Sequence, residues 1–563
     1  MTLRKLAFLP LALLAACTGT PPPAAPVVQA PIEVQILAFN DFHGNLETPV
    51  AVEVAEADGS KRKIVTGGAA NLAGALAQAR TAHPYSVTVS AGDTIGATPL
   101  ISAHYLDEPT ITAMNALGLE FNAVGNHEFD KGGDELRRMQ AGGCARFTRR
   151  QPCAVEPFGG ARFRYLAANV LASDGRTFFP ATGLKTFGTG RDAITVGFIG
   201  MTLKETGNLV TPSGVKGLSF ADEAATANAL VPALKARGAD AIVLLIHQGG
   251  KTKAFTTGNG CDGLDGGIVP ILEKLDPAIT TVVSGHTHWA YVCPGGAAGG
   301  RLLTSAGKNG YFFTDIRLSF DRATHRLIGQ RAANEVVGNG ERGTELGVKA
   351  LVDRYAAAIA PVASRVIGRL SAPAPRDDDD WESPAADLIA DAMLAAAAAP
   401  ETGGAQLALV NATGVRVSLP AGDIRYSEAF AMMPFGNNLV VMTLTGAHLK
   451  AVLEQQFAGA ARASGKPAAL APSRGFTYSL DLKRPAGDRV VAMALDRQPL
   501  DPAACYRVVV NNYMASGGDG LTGFTAGTEI TDTGIIDLDS LVAWVARGQA
   551  PPKPDRVRVV TAE

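Results

Sequence analysis

Five apolar, β-branched runs in the first half of the chain each end in a short polar cluster. Val34-Gln35-Ile36-Leu37-Ala38-Phe39 leads into Asn40-Asp41-Phe42-His43-Gly44, and Ser86-Val87-Thr88-Val89 leads into Gly92-Asp93. Phe121-Asn122-Ala123-Val124 leads into Gly125-Asn126-His127-Glu128. Ala241-Ile242-Val243-Leu244-Leu245-Ile246 leads into His247, and Thr281-Val282-Val283 into Gly285-His286-Thr287-His288. Runs of this kind read as buried strands. Polar residues just past strand ends lie at the carboxyl edge of a sheet, where α/β proteins build their sites. The pattern thus constrains both the architecture and the place of the chemistry. Five of the nine histidines fall in these clusters.

A chain of 563 residues is too long for one core, so two or more domains are expected. Hydrophobic content of 47% with 18% charged residues suits a folded protein and argues against global disorder. A net charge of -2, without a local Lys/Arg cluster, gives no support to binding of a nucleic acid polymer. Over residues 32–340 strand-like runs alternate with helical patterns at 71–80 and 221–237, an α/β layout. Residues 344–370 carry Val348, Leu351, Val352, Tyr355 and Ile359 at helical spacing, and 341–370 is read as a linker helix. Pro373, Pro375 and the run Asp377-Asp378-Asp379-Asp380 mark a solvated loop. A second domain is expected over 371–558, with strands near 407–410, 439–442 and 506–510.

Arg4 and Lys5 precede an apolar stretch at 6–16 that is too short to span a bilayer, so 1–16 reads as a signal peptide. The ending Leu14-Ala15-Ala16-Cys17 resembles a bacterial lipobox, in which Cys17 would take the lipid and anchor the chain to the inner or outer membrane. Ordinary signal cleavage nearby is the alternative. Residues 17–31 are rich in Pro and Ala and read as an extended tether. Thr18 after the cysteine, by resemblance to enterobacterial lipoproteins, permits sorting to the outer membrane. The expectation is a periplasmic or surface lipoprotein of the cell envelope. Such a compartment allows disulfides, and Cys144 with Cys153, and Cys261 with Cys293, are the expected pairs. Cys505 is left over and is expected to be buried at a strand start.

Two divalent ions roughly 3.5–4 Å apart need a bridging carboxylate and several nitrogen or oxygen ligands each. Asp41 and His43 alternate along an extended segment and can face one ion; His286 and His288, again two apart, share one face. Asp93, after a glycine that keeps the turn tight, is the natural bridge, Asn126 offers a carbonyl oxygen, and His247 a further imidazole. No cysteine joins the set, which disfavours a structural zinc site. Zn, Mn, Co or Fe all suit such donors.

The order D-x-H, G-D, G-N-H-E, isolated H, G-H-T-H resembles the metallophosphoesterase superfamily. Asn40-Asp41-Phe42-His43-Gly44 and Gly125-Asn126-His127-Glu128-Phe129-Asp130 resemble most closely the 5'-nucleotidase family. That resemblance implies an N-terminal four-layer β-sandwich flanked by helices, followed by a C-terminal α/β substrate domain. It implies Asp41, His43 and His288 on one metal, Asn126, His247 and His286 on the other, and Asp93 bridging. His127, oriented by Asp130, would stand beside the reacting phosphate. The second half matches the family at Asn411-Ala412-Thr413-Gly414-Val415-Arg416, Pro434-Phe435-Gly436-Asn437 and the segment Asn512-Tyr513 to Gly518-Asp519-Gly520. By that match Phe435 and Tyr513 clamp a base, Asp519 bonds ribose hydroxyls, and Arg416 with Asn411 and Asn437 contacts phosphate or base edges. Many members carry a further Arg before the helix that starts here near Asp387; this chain has Trp381 and Glu382 there, with Arg376 nearby. The implied activity is hydrolysis of nucleotide phosphate esters, as a 5'-nucleotidase or UDP-sugar hydrolase. A 2',3'-cyclic-nucleotide phosphodiesterase or thiosulfohydrolase on the same scaffold, and a surface nucleotide-binding lipoprotein, are the alternatives. Oligomeric state has no signature in the sequence.

Overall fold

The computed structural model describes residues 30–48, 52–55, 61–211, 213–253, 259–376, 380–457 and 469–560. The signal segment, Cys17, most of the tether and Asp377 to Asp379 lie outside the described residues.

All five expected runs are strands: Ile32–Phe39, Ser86–Ser90, Leu119–Ala123, Ala241–Ile246 and Ile279–Ser284. They divide between two six-stranded sheets. In the first, Ile32–Phe39 pairs in parallel with Ser86–Ser90, which pairs with Leu119–Ala123, while Phe312–Phe320 runs antiparallel on the other side. In the second, Ala241–Ile246 lies in parallel between Ile194–Met201 and Ile279–Ser284. The sheets pack face to face through Val34, Ile36, Val89, Phe198, Val243 and Val283, all buried. Helices Ala69–Thr81 and Glu108–Leu117 cover one outer face, and Glu223–Ala236 and Ile268–Lys274 the other. Burial on both faces is why these strands read as continuous apolar runs rather than alternating ones. Parallel pairing within each sheet puts the five strand ends along one edge of the sandwich, where the residues that follow them meet.

The stretch read as wholly helical over 344–370 is a helix at Leu346–Ala363, N-capped by Glu345, and then a strand at Val366–Leu370. That strand pairs with Gly422–Arg425, and a Cβ on Gly368 would meet the Val545 carbonyl oxygen at 2.3 Å. β-branched Val366 and Ile367 favour the pleated pairing over further helix. The second half is built on a five-stranded sheet with Leu407–Asn411, Cys505–Asn511 and Asn438–Thr445 at its centre. Helix Pro384–Ala397, with Ser383 as N-cap and Pro384 in its first turn, packs on one face. Both expected disulfides are formed, Cys144–Cys153 and Cys261–Cys293. Cys505 does start a strand but is exposed, a correction to its expected burial: the strand enters the core only at Val508. Among the described residues no helix is long and apolar enough to cross a membrane.

Glu382 faces the C-terminal strand, accepting from the backbone N–H groups of Asp555, Arg556 and Val557. The Arg556 guanidinium bonds both oxygens of Asp391 at 2.8 and 2.9 Å. Beside them Asp387 is fully buried, and burial, followed by the neighbouring Glu382 carboxylate, raises its carboxyl to about 9 against the pull of Arg556. The native state then holds a proton that the unfolded chain releases near 3.8. Stability from this group is complete at acid pH and is lost as pH rises toward about 9. Asp387→Asn, a neutral isostere, is expected to flatten the fall in Tm between about pH 5 and pH 8. Each kcal/mol removed from that slope is roughly 2–4 °C in a domain of this size. Parallel thermal unfolding of both proteins checks it; equal losses would mean that Asp387 is already ionised at pH 5.

Candidate metal centre

Five of the seven expected ligands hold a left-handed backbone: φ is 50° at Asp41, 46° at His43, 49° at Asp93, 71° at His286 and 60° at His288. Non-glycine residues adopt this region only when their surroundings impose it, and such strain gathers at functional sites. Here the turns after the strands are locked to one another. Asp41 and His43 donate their N–H groups to the carbonyls of Gly92 and Asp93. Glu128 accepts from the N–H groups of Asp93, Thr94 and Gly125 at 2.9, 2.8 and 2.7 Å. A Cβ on Gly92 would come within 2.7 Å of the Gly125 nitrogen and 2.9 Å of His247 Nδ1. Only glycine lets those turns approach.

The side chains form two groups, Asp41 with His43 and His288, and Asp93 with His247 and His286. Asp93 stands between them: its Oδ2 lies 2.9 Å from His247 Nε2 and 3.8 Å from His43 Nε2. Asn126 Oδ1 completes the second group, 3.1 Å from His247 Nε2 and 3.2 Å from His286 Nδ1. His288 Nε2 lies 3.5 Å from Asp41 Oδ1 and 3.1 Å from His43 Nε2.

The donor chemistry fits cations. His43 Nδ1 donates to the Gly96 carbonyl at 2.9 Å, and His247 Nδ1 to the Ala91 carbonyl at 2.8 Å. Those bonds aim the two Nε2 atoms inward, as in metal-ligating histidines. Burial holds His43 at about 4 and, with repulsion from His247, His286 at about 3, so both are neutral imidazoles. Burial also works against charge on His247, yet Asp93, with Asp41 and Glu128, outweighs it and raises the group to about 10. Two buried carboxylates and a ring of inward nitrogens thus call for positive charge at the centre, and N/O donors of this mix suit borderline divalent ions.

His127 sits at the rim. Its backbone N–H donates to Asp93 Oδ1 at 2.9 Å, and its Nδ1 lies 2.9 Å from Asp130 Oδ2. Burial opposes charge there too, but Asp130 and Asp93 together raise the imidazole to about 9. The ring stacks on Phe435 of the second half, with centroids 6.1 Å apart and planes 13° from parallel. A cavity of about 190 Å³ opens between them. It is lined by Asn126, His127, Asp130 and His286, and by all six residues expected to meet substrate: Asn411, Arg416, Phe435, Asn437, Tyr513 and Asp519. Asp519, itself at φ 56°, accepts from the Tyr513 hydroxyl at 2.8 Å and from Asn411 Nδ2 at 2.7 Å. A Cβ on Gly518 would strike the Tyr513 ring at 2.5 Å. Arg416 lies with its guanidinium carbon 5.7 Å from the Phe435 ring centre, and Asn437 Nδ2 reaches Asp537 at 3.2 Å.

Sequence reasoning missed three contributors. Asn40 bonds Asp41 Oδ2 at 2.6 Å, takes the Ala306 N–H, and donates to the Gly307 carbonyl. Glu128 ties two ligand turns together, and Lys308 lies beside the first ligand group. Asn40 and Glu128 belong to the segments Asn40-Asp41-Phe42-His43-Gly44 and Gly125-Asn126-His127-Glu128, so a signal existed; Lys308 had none. Arg376 bonds the Arg416 carbonyl at 3.0 Å, while Glu382 points to the C-terminal strand.

Comparison with known proteins agrees with this arrangement. Residues 34–290 match the calcineurin-like phosphoesterase family model, and residues 366–526 match that of the 5'-nucleotidase C-terminal domain. The cell wall protein Lmo0130 of Listeria monocytogenes is 30% identical over 95% of this chain and 69% of its own length. Endonuclease YhcR of Bacillus subtilis is 28% identical over 95% of this chain, which spans only 41% of that relative. The crystal structure of a 5'-nucleotidase precursor from Thermus thermophilus superposes with a TM-score of 0.72 at 26% identity, covering 94% of this chain and 100% of its own. Two matched domains in this order, around one shared cavity, place the chain in the 5'-nucleotidase family of metallophosphoesterases.

Proposed function

We propose that the chain is a two-metal hydrolase of nucleotide phosphate monoesters, a 5'-nucleotidase, working outside the cytoplasm. One observation carries the reading: a single cavity is lined by ligand-set residues from one domain and by two aromatic rings, an Arg and an Asp from the other. A pure binding protein needs neither Asp93 nor His127 in such positions. Bound divalent ions would lower the pKa of an attacking water and neutralise phosphoryl oxygens. Asp41, His43 and His288 would hold one, Asn126, His247 and His286 the other, with Asp93 shared.

The chain's own residues do the rest. Phe435 and Tyr513 offer flat faces to a nucleobase without reading its edge. Asp519, fixed by Tyr513 and Asn411, presents a carboxylate to ribose hydroxyls. Arg416 takes phosphoryl oxygens with its planar fork. His127, held by Asp130 and cationic at neutral pH, faces the charge that develops on the departing oxygen. Two disulfides suit an oxidising compartment, and a lipid on Cys17 would tether the enzyme to the envelope.

Phe435→Ala and Tyr513→Ala test the nucleotide assignment. Each is expected to raise KM for AMP roughly fivefold to a hundredfold, since a stacked base contributes about 1–3 kcal/mol. Hydrolysis of bis-p-nitrophenyl phosphate, which has no base, should change little. Equal losses on both substrates would remove the rings from base recognition.

A further inference from the structure

A second cavity, of about 540 Å³, opens on the other side of the ligand cluster. His43 and His288 of the first ligand group line it, together with Lys308, Asn309 and Arg416. Arg416 is shared with the nucleoside cavity, so the two spaces flank the same centre. Lys308 belongs to the turn Gly307-Lys308-Asn309-Gly310 that follows the strand Leu302–Ala306. Three of those four residues hold positive φ: 74° at Gly307, 56° at Asn309 and 69° at Gly310.

The turn is tied directly to the first ligand. Asn309 donates its N–H to the Asp41 carbonyl at 2.8 Å, and the Gly307 carbonyl accepts from Asn40 Nδ2 at 2.7 Å. Lys308 is therefore held in place by the same contacts that set Asp41. Its side chain is half-buried, and among the described residues its ammonium has no hydrogen bond or ion pair. Glu47 is the one carboxylate among the described lining residues, and it makes no ion pair with Lys308. Burial lowers the proton affinity of Lys308, and so do the charges of Arg416 and Arg376, against the pull of Asp41. A half-buried ammonium that makes no hydrogen bond or ion pair of its own is costly unless an anion joins it.

We propose that Lys308 is a further phosphate-binding residue: from the first ligand group's side its ammonium meets the phosphoryl oxygens that Arg416 meets from the other domain. The ligand is a phosphoryl dianion, either substrate phosphate or the orthophosphate product. Two domains then each supply one cation, and the substrate phosphate itself joins them. The inference rests on the phosphate-ester reading above, and its test reads binding as well as turnover.

The probe is inorganic phosphate, titrated calorimetrically into the Mn²⁺-loaded chain and used as a competitive inhibitor of AMP hydrolysis. Lys308→Met keeps the length of the side chain and removes its charge. It is expected to weaken phosphate binding and to raise KM for AMP, each by about tenfold to a hundredfold, the range of one charge-assisted hydrogen bond. Adenosine affinity and metal content should stay unchanged, and Lys308→Arg should restore phosphate affinity in large part. Unchanged phosphate binding in a metal-replete Lys308→Met protein would overturn the proposal. Loss of metal from that variant would overturn it as well, by placing the effect on the ligands. If neither protein hydrolyses AMP but phosphate affinity still falls in the variant, the phosphate site stands and the nucleotidase reading fails.

Discussion

Asp93→Ala is expected to strip metal from both halves of the centre and to lower AMP turnover at least about 10³-fold, several kcal/mol in barrier. The size follows from position. Among the described residues, Asp93 Oδ2 is the carboxylate oxygen within reach of both groups, 2.9 Å from His247 and 3.8 Å from His43. Its Oδ1 accepts the His127 N–H, so the same side chain also sets the rim. The raised proton affinity of His247 and of His127 owes much to Asp93, and both would fall without it. Metal analysis of the purified variant, with circular dichroism to confirm folding, checks the first half; phosphate release checks the second. A folded Asp93→Ala protein with two ions per chain and near-normal kcat would show that the bridge lies elsewhere.

His127→Ala should behave differently. Metal content stays, because no ligand is lost, and kcat for AMP falls about 10²–10⁴-fold, the range for a positioned general acid or charge stabiliser. Asp130→Asn should give a smaller loss of the same kind, because Asp130 acts through the imidazole it holds at 2.9 Å. The ring of His127 also stacks on Phe435, so KM for AMP should rise modestly in the Ala variant. Substrates with a better leaving group should suffer less from the loss, since they need less help at the departing oxygen. A His127→Ala enzyme with wild-type kcat on AMP would remove His127 from the reaction.

The strands that carry the candidate ligands were legible because a strand buried on both faces must be apolar throughout, and the polar residues at its end then stand out. Their division between two sheets was not legible, since a run such as Ala241–Ile246 looks alike in either. The clusters that meet at the candidate metal centre were readable, whereas the braces were not. Glu128 acts on backbone N–H groups more than thirty residues away, and such a bond leaves no mark in local sequence. Lys308 becomes visible only when its turn is seen bonded to Asp41. In the second half, Phe435 alone reads as core; its place in the cavity was legible through resemblance to a family rather than through pattern. The strand at Val366–Leu370 escaped because its partner, Gly422–Arg425, lies over fifty residues further on. Cys505 was expected inside at a strand start, but its strand becomes buried only from Val508 onward.

The most direct test of the account is phosphate release from AMP by the chain lacking residues 1–31, with Mn²⁺ and then with EDTA. UDP-glucose, 2',3'-cyclic AMP and bis-p-nitrophenyl phosphate are run beside it. The expected result is turnover that is abolished by EDTA, restored by divalent metal, and fastest with AMP. Turnover confined to the diesters, or silence on every substrate in a sample that retains two ions per chain, would contradict it.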